Sequence, residues 1–249
     1  MTYSIVAKDS ATGKLGVAVA SRFFAVGALV PHVRGGKCAV ATQAFVSPVW
    51  GIEAADRMAG GESANEVLAD LVSRDDGRAQ RQIHMIDAQG QSAAYTGDNC
   101  IDWCGHLIGD GVSVAGNMLT GASVIAETHR TYTDHMHLPF AERLLTAMEA
   151  GEAAGGDKRG RQSAALRIHR SEDYPWLDIR ADDHADPLAE LRRLHDVAHE
   201  RYLWFSDGLP TRANFSGISD RRGIDSAIAA DEERRKSDGL ASRSFATGI

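Results

Sequence analysis

Two apolar runs in this chain, LGVAVA within residues 15–21 and CAVA at the head of residues 38–45, are continuous rather than alternating. With residues 2–8 (TYSIVAK) they predict three strands. Residues 9–14 (DSATGK) are too few for a crossover, so the first two strands pair antiparallel, with Gly13 available for a positive φ in the turn. A sheet with one wet face alternates apolar and polar residues. Antiparallel strands that do not alternate are covered on both faces, as when two sheets face each other with helices outside.

Helical patterns follow. Ser47-Pro48 reads as N-cap and first helical residue of a segment ending at Gly60-Gly61. Ser63 and Glu66 form a capping box ahead of Val67, Leu68 and Leu71. Residues 82–86 and 92–96 flank the turn 87–90 (DAQG) and predict a hairpin, and residues 111–115 (GVSVA) predict a strand leading into Gly116-Asn117. Residues 122–130 and 140–150 predict helices, residues 163–169 a strand, and Asp186-Pro187 the start of a helix with Leu188, Leu191 and Leu194 on one face. This order lacks the strict alternation of a doubly wound fold. The pattern fades after Tyr202, and residues 231–238 (DEERRKSD) read as a solvated helix or disordered tail. The expected organisation is one domain over residues 1–205 and a C-terminal extension over 206–249.

Composition narrows the function classes. With 43% hydrophobic but only 6% aromatic residues, the core is built from small side chains and closely approaching layers. A net charge of -7 argues against nucleic-acid and acidic-membrane partners. No apolar run reaches the ~20 residues of a membrane span, and the opening residues lack a signal-peptide pattern. Cys38, Cys100 and Cys104, an odd set in a large chain, suit a reducing compartment, so a cytoplasmic location is expected.

Thr2 is the leading candidate for chemistry. Once Met1 is removed, Thr2 carries a hydroxyl nucleophile and an α-amine whose reference pKa of ~7.7–8.0 suits a base at neutral pH. A retained Met1 would acylate that amine and block the chemistry. Gln43 interrupts an apolar strand and Asn117 sits at a strand end. Each amide can donate to a developing oxyanion, or can simply be satisfied by neighbouring backbone. Arg159 and Arg161 can bind a substrate carboxylate or lie in a solvated surface turn. Metal sets are weak: Cys100, Cys104 and His106 lack a second cysteine pair, Asp182, Asp183, His184 and Asp186 precede a helix, and His135 and His137 flank Met136 in a loop. Neither a phosphate-binding glycine loop nor a Gly-x-Ser-x-Gly elbow occurs.

The segments TYSIVAKDSATGKLGVAVASRF, VATQAF, AGNML and GGDKRGRQSAAL, in that order, resemble a bacterial family, domain-of-unknown-function family 1028, over roughly residues 1–200. That family is similar in fold to the N-terminal-nucleophile (Ntn) hydrolases. The resemblance implies an α+β fold, a four-layer αββα sandwich of antiparallel sheets, with Thr2 in the nucleophile position. It places Ser21 and Arg22 in the supporting shell, and Asp157 where an acidic residue holds the α-amine. Two departures stand out: Ala20 falls where an acidic residue is expected, and the expected lysine falls near His32 or Arg34. Either the supporting groups differ or catalysis has been lost. The expectation is therefore an amidohydrolase acting without a cofactor on a small-molecule or peptide-like substrate, with Arg34 and Arg159 as substrate-binding candidates. The alternatives are a non-catalytic module binding an anionic small molecule or peptide, and a structural subunit. A homodimer is compatible with each.

Overall fold

A computed structural model describes residues 2–246. Met1, and with it the question of its removal, lies outside the described residues. The chain forms two compact units, residues 1–188 and residues 189–249.

The first unit is a mixed α/β structure with two antiparallel sheets. Its strands are β1 (Thr2–Lys8), β2 (Leu15–Ser21), β3 (Pro31–Arg34), β4 (Cys38–Ala44), β5 (Arg81–Asp87), β6 (Ser92–Thr96), β7 (Gly105–Gly109), β8 (Val112–Asn117), β9 (Ser163–His169) and β10 (Leu177–Ala181). Six form a sheet in the order β10-β9-β2-β1-β8-β7, and four form a sheet in the order β3-β4-β5-β6. The continuous apolar strands sit where the pattern requires: every residue of β2 is buried, as is every residue of β8. β3, β7 and β10, which the hydrophobic pattern did not announce, are all sheet edges.

Helices α1 (Pro48–Ala59) and α2 (Ala64–Arg74) pack on the four-stranded sheet, and α3 (Ser123–Asp134) and α4 (Phe140–Ala153) on the six-stranded sheet. Both expected N-caps are present. Ser47 accepts from the Trp50 N–H, and Ser63 and Glu66 close a reciprocal capping box. Glycine lets the layers approach: a Cβ at Gly51 of α1 would lie 2.2 Å from His32 of β3. The sheets meet through Val6, Val17, Val19, Ala39, Ala41 and Ile86.

Strand β1 is fixed to α4 at both ends. At one end the Tyr3 hydroxyl donates to the Met148 carbonyl at 2.9 Å and to Glu152 at 3.1 Å. At the other, Arg143 of α4, fully buried, donates to Asp9 at 2.6 Å.

The second unit contains most of α5 (Pro187–Glu200), then α6 (Tyr202–Ser206) and α7 (Arg222–Ser237). The charge run at residues 231–238 is thus largely helical. Ion pairs Arg201–Glu232 and Arg235–Glu200 join its helices. No helix among the described residues is long and apolar enough to cross a membrane.

Candidate active site

Antiparallel pairing brings the starts of β1, β5 and β9 to the same end as the finishes of β2, β4 and β8. Thr2 stands opposite Asn117, Ser21 opposite Ser163, and Gln43 opposite Gln82. Six strand ends therefore converge around Thr2, which is itself 7% exposed. Its hydroxyl oxygen lies 3.1 Å from that of Ser21.

Beneath Thr2 a polar seam runs between the sheets, its members two residues apart on β1 and β5 and four apart on β8. The Ser4 hydroxyl donates to Gln43 Oε1 at 2.6 Å and lies 2.8 Å from His84 Nε2. The other ring nitrogen of His84 is 3.1 Å from the Ser113 hydroxyl. Gln82 Oε1 accepts from Gln43 Nε2 at 2.8 Å and from Asn117 Nδ2 at 3.0 Å. Gln82 Nε2 donates in turn to the Gly116 carbonyl at 2.8 Å and to Thr96 at 2.9 Å. A buried network satisfied in this way specifies one arrangement, because a broken member leaves polar groups without water.

The two predicted amides differ in what they have left to give. Gln43 donates to Gln82 and, at 3.5 Å, to the Thr2 carbonyl, so its NH₂ is spent on the protein. Asn117 gives one hydrogen to Gln82; its second N–H and its Oδ1 have no partner among the described residues. Of the two, Asn117 is the group free to meet a ligand.

Strain marks the same place. Ala44 and Met118, immediately beyond Gln43 and Asn117, adopt φ of 67° and 55°, and Ala25 one of 51°. The left-handed region costs a non-glycine residue on the order of 1–3 kcal/mol and persists where surrounding structure imposes it. Here β4 and β8 both end through such a residue.

Two pockets flank Ala44. One, of about 60 Å³, is lined by Thr2, Phe23, Val26, Leu29, Val30, Gln43, Ala44 and Val46. The other, of about 320 Å³, is lined by Ala44, Phe45, Gln80, Asn99, Cys100, Ile101, Asn117 and Met118.

The remaining predicted residues are placed less centrally. The buried Asp157 carboxylate accepts from the backbone N–H groups of Arg22 and Arg159, each at 2.8 Å. It braces the loop after β2, and among the described residues no hydrogen bond joins it to Thr2. The Arg22 guanidinium reaches Gln162 at 3.4 Å, and that of Arg159 reaches Asp157 at the same distance. Arg34 is committed to Asp56 of α1 at 2.6 Å and lines neither pocket. The structure thus gathers Thr2, Ser21, Gln43 and Asn117, joins Arg22 to Asp157 and Arg159 across two neighbouring loops, and leaves Arg34 outside. Among the described residues no group of three or more His, Cys, Asp or Glu is placed to hold a metal.

Sequence reading missed Gln82 and His84. The signal was two polar residues at i, i+2 in the strand RQIHMID, alternating with the apolar Ile83 and Met85. Burial, aided by the nearby His106, lowers the His84 pKa from its ordinary value to about 3. His84 stays neutral in the fold but is protonated once unfolded below pH ~6.5. The unfolded state therefore binds the extra proton, and stability falls as pH drops from about 6.5 toward 3. At pH 5 the loss through His84 is about 2 kcal/mol. His84→Gln should shrink the difference between urea midpoints at pH 7 and pH 5. The slope will not vanish, because His32, lowered to about 4 chiefly by burial, titrates in the same sense. An unchanged difference would contradict this assignment.

The sequence model of the Family of unknown function (DUF1028) matches residues 2–191. A solved structure from Silicibacter pomeroyi, described as a protein of that same family, is similar at 31% identity and a TM-score of 0.81. The match covers 88% of this chain and 99% of that one. Anbu (ancestral beta-subunit) from Yersinia bercovieri is 13% identical over 84% of this chain and 98% of its own, with a TM-score of 0.38. At that score the likeness fixes nothing about this chain. No curated protein matches.

Proposed function

Because the chain belongs to the family of unknown function DUF1028, which brings no assigned reaction, we propose its function from the site: an Ntn-type amidohydrolase with Thr2 as nucleophile. The observation that carries the proposal is Thr2 at the head of a central strand, its hydroxyl 3.1 Å from Ser21, lining a pocket. The layering we read as supporting it runs α1 and α2, four-stranded sheet, six-stranded sheet, α3 and α4, an αββα sandwich.

With Met1 removed, the α-amine of Thr2 takes the hydroxyl proton as Oγ1 attacks the amide carbon. The carbonyl electrons move onto oxygen, which Asn117 Nδ2 meets with its remaining N–H. As the tetrahedral species collapses, the C–N bond breaks, the leaving nitrogen takes the proton from the α-amine, and an ester of Thr2 remains. Water then attacks that ester, giving its proton to the α-amine. As the ester C–O bond breaks, the α-amine returns that proton to Oγ1, the carboxylic acid leaves and Thr2 is restored. Ser21 orients the hydroxyl, Gln43 and Gln82 hold the floor, and no cofactor takes part. The non-catalytic alternative, an anion-binding module, would rest on Arg34 and Arg159, and each is already paired with a carboxylate. The free thiols of Cys38, Cys100 and Cys104 support placing the protein in the cytoplasm.

Hydroxylamine partitioning tests the ester. With a hydrolysed N-acyl amide as substrate, added hydroxylamine should divert acyl groups to hydroxamate in protein that begins at Thr2. Protein retaining Met1 should form none. Equal hydrolysis by both forms would end the proposal.

A further inference from the structure

The two pockets flanking Ala44 differ in kind. The smaller is walled by Phe23, Val26, Leu29, Val30 and Val46 and has room for about four waters, the bulk of one branched aliphatic group. The larger presents three uncharged amides, Gln80, Asn99 and Asn117. The side chains of Gln80 and Asn99 make no hydrogen bond among the described residues, and Asn117, its remaining N–H assigned to the oxyanion, still offers Oδ1 as an acceptor. Among the described residues lining either pocket, no side chain is charged.

The walls are already in place. Phe45 N–H donates to the Gln80 carbonyl at 3.1 Å, while Arg81 donates to the Phe45 carbonyl at 2.6 Å and stacks on its ring. Across the cleft, Met118 N–H donates to the Ile101 carbonyl at 2.7 Å. A cleft so braced needs little reordering on binding, which favours affinity.

Amide side chains both donate and accept, so they match a carboxamide or hydroxyl in full. A carboxylate or ammonium would lose hydration there without meeting an opposite charge. We infer that the substrate is an amide bearing a small branched aliphatic group on one side of the scissile bond and an uncharged carboxamide-type group on the other. This rests on the assignment of Thr2 as nucleophile: Thr2 lines the smaller pocket, and its cross-strand partner Asn117 lines the larger.

Calorimetry on the Thr2→Ala protein separates the two assignments, since binding is read without turnover. The probes are capped dipeptides pairing leucine with glutamine, glutamate or lysine, each in both orders. One order of the leucine–glutamine pair should bind at least tenfold tighter than its glutamate and lysine counterparts. Val46→Phe, which fills the small pocket, should cost it at least tenfold. Asn99→Asp should reverse the preference toward lysine. If these hold while unmodified protein hydrolyses none of the probes, the pockets are assigned correctly and the nucleophile assignment fails. If a charged dipeptide binds as tightly, or Asn99→Asp leaves the ranking unchanged, the substrate class is overturned even where hydrolysis persists.

Discussion

Thr2→Ala should lower amide hydrolysis by on the order of 10⁴-fold or more, the scale seen when a nucleophile that acts as one unit with its base is removed. The loss should fall on kcat, because the pocket walls from Phe23 to Val46 are untouched and ground-state binding survives. Stability should change by only about 1 kcal/mol, the worth of one side-chain hydrogen bond, here to Ser21. Thr2→Ser keeps both hydroxyl and α-amine and should recover most of the rate. Ser21→Ala should cost less than Thr2→Ala, since it removes an orienting contact rather than the attacking atom. Steady-state rates with any hydrolysed amide decide the matter, and a Thr2→Ala protein of near-normal kcat would remove Thr2 from the mechanism.

The largest effect on stability should come from Asp9→Ala. Arg143 is 1% exposed and its pair with Asp9 is dry. Its charge otherwise meets Met136 and the rings of Tyr132 and Phe140. Taking Asp9 away strands a buried cation, which costs about 3–5 kcal/mol. Asp9→Ala with Arg143→Met should lose much less, and that contrast in urea midpoints separates a stranded charge from a general packing defect. Burial pushes the Asp9 carboxyl up, but hydrogen bonds from Thr12 and Arg143 and the Arg143 charge outweigh it, leaving the pKa below the ordinary value. A lowered carboxyl stabilises the fold above the unfolded pKa, ~3.9, and loses that contribution as pH falls through the folded value. The Asp9 contribution should therefore persist to pH 4 and disappear only below it, whereas that of His84 begins to fade near pH 6.5.

What the chain disclosed in advance follows from where its strands lie. β1, β2 and β4 lie inside their sheets, so they carry the continuous apolar runs IVA, LGVAVA and CAVA, which stand out. β3, β7 and β10 are edges. PHVR buries only every second residue, and the centre of GHLIG is exposed. Edge strands carry polar and short sequences for a physical reason, to discourage pairing with other chains, and that camouflages them from a hydrophobic pattern. The helices α1 and α2 were legible from their caps. α3 and α4 run three or four residues further than expected, to Asp134 and Ala153, because amphipathic spacing continues into turns without a marked stop.

The site was partly legible for the same reasons. Thr2 was visible as the residue following Met1 at the start of a strand. Gln43 and Asn117 were visible as polar residues in apolar surroundings. Which of the two amides keeps a free donor depends on Gln82, which meets Gln43 as its cross-strand partner but Asn117 only through the packing of the two sheets. Arg34 illustrates the converse. Its place near the nucleophile came by resemblance, but β3 is an edge strand, and Arg34 pairs with Asp56 of α1.

The most direct test is mass spectrometry of the N-terminal peptide of untagged protein from its native cell, after exposure to a leucine-derived ketone bearing an adjacent epoxide. Such an electrophile closes a ring only where a hydroxyl and a free α-amine belong to one residue. The expected product is a peptide beginning at Thr2 and carrying one cyclic adduct across its Oγ1 and α-nitrogen. A peptide that still begins with Met1, or one beginning at Thr2 that remains unmodified, would contradict it.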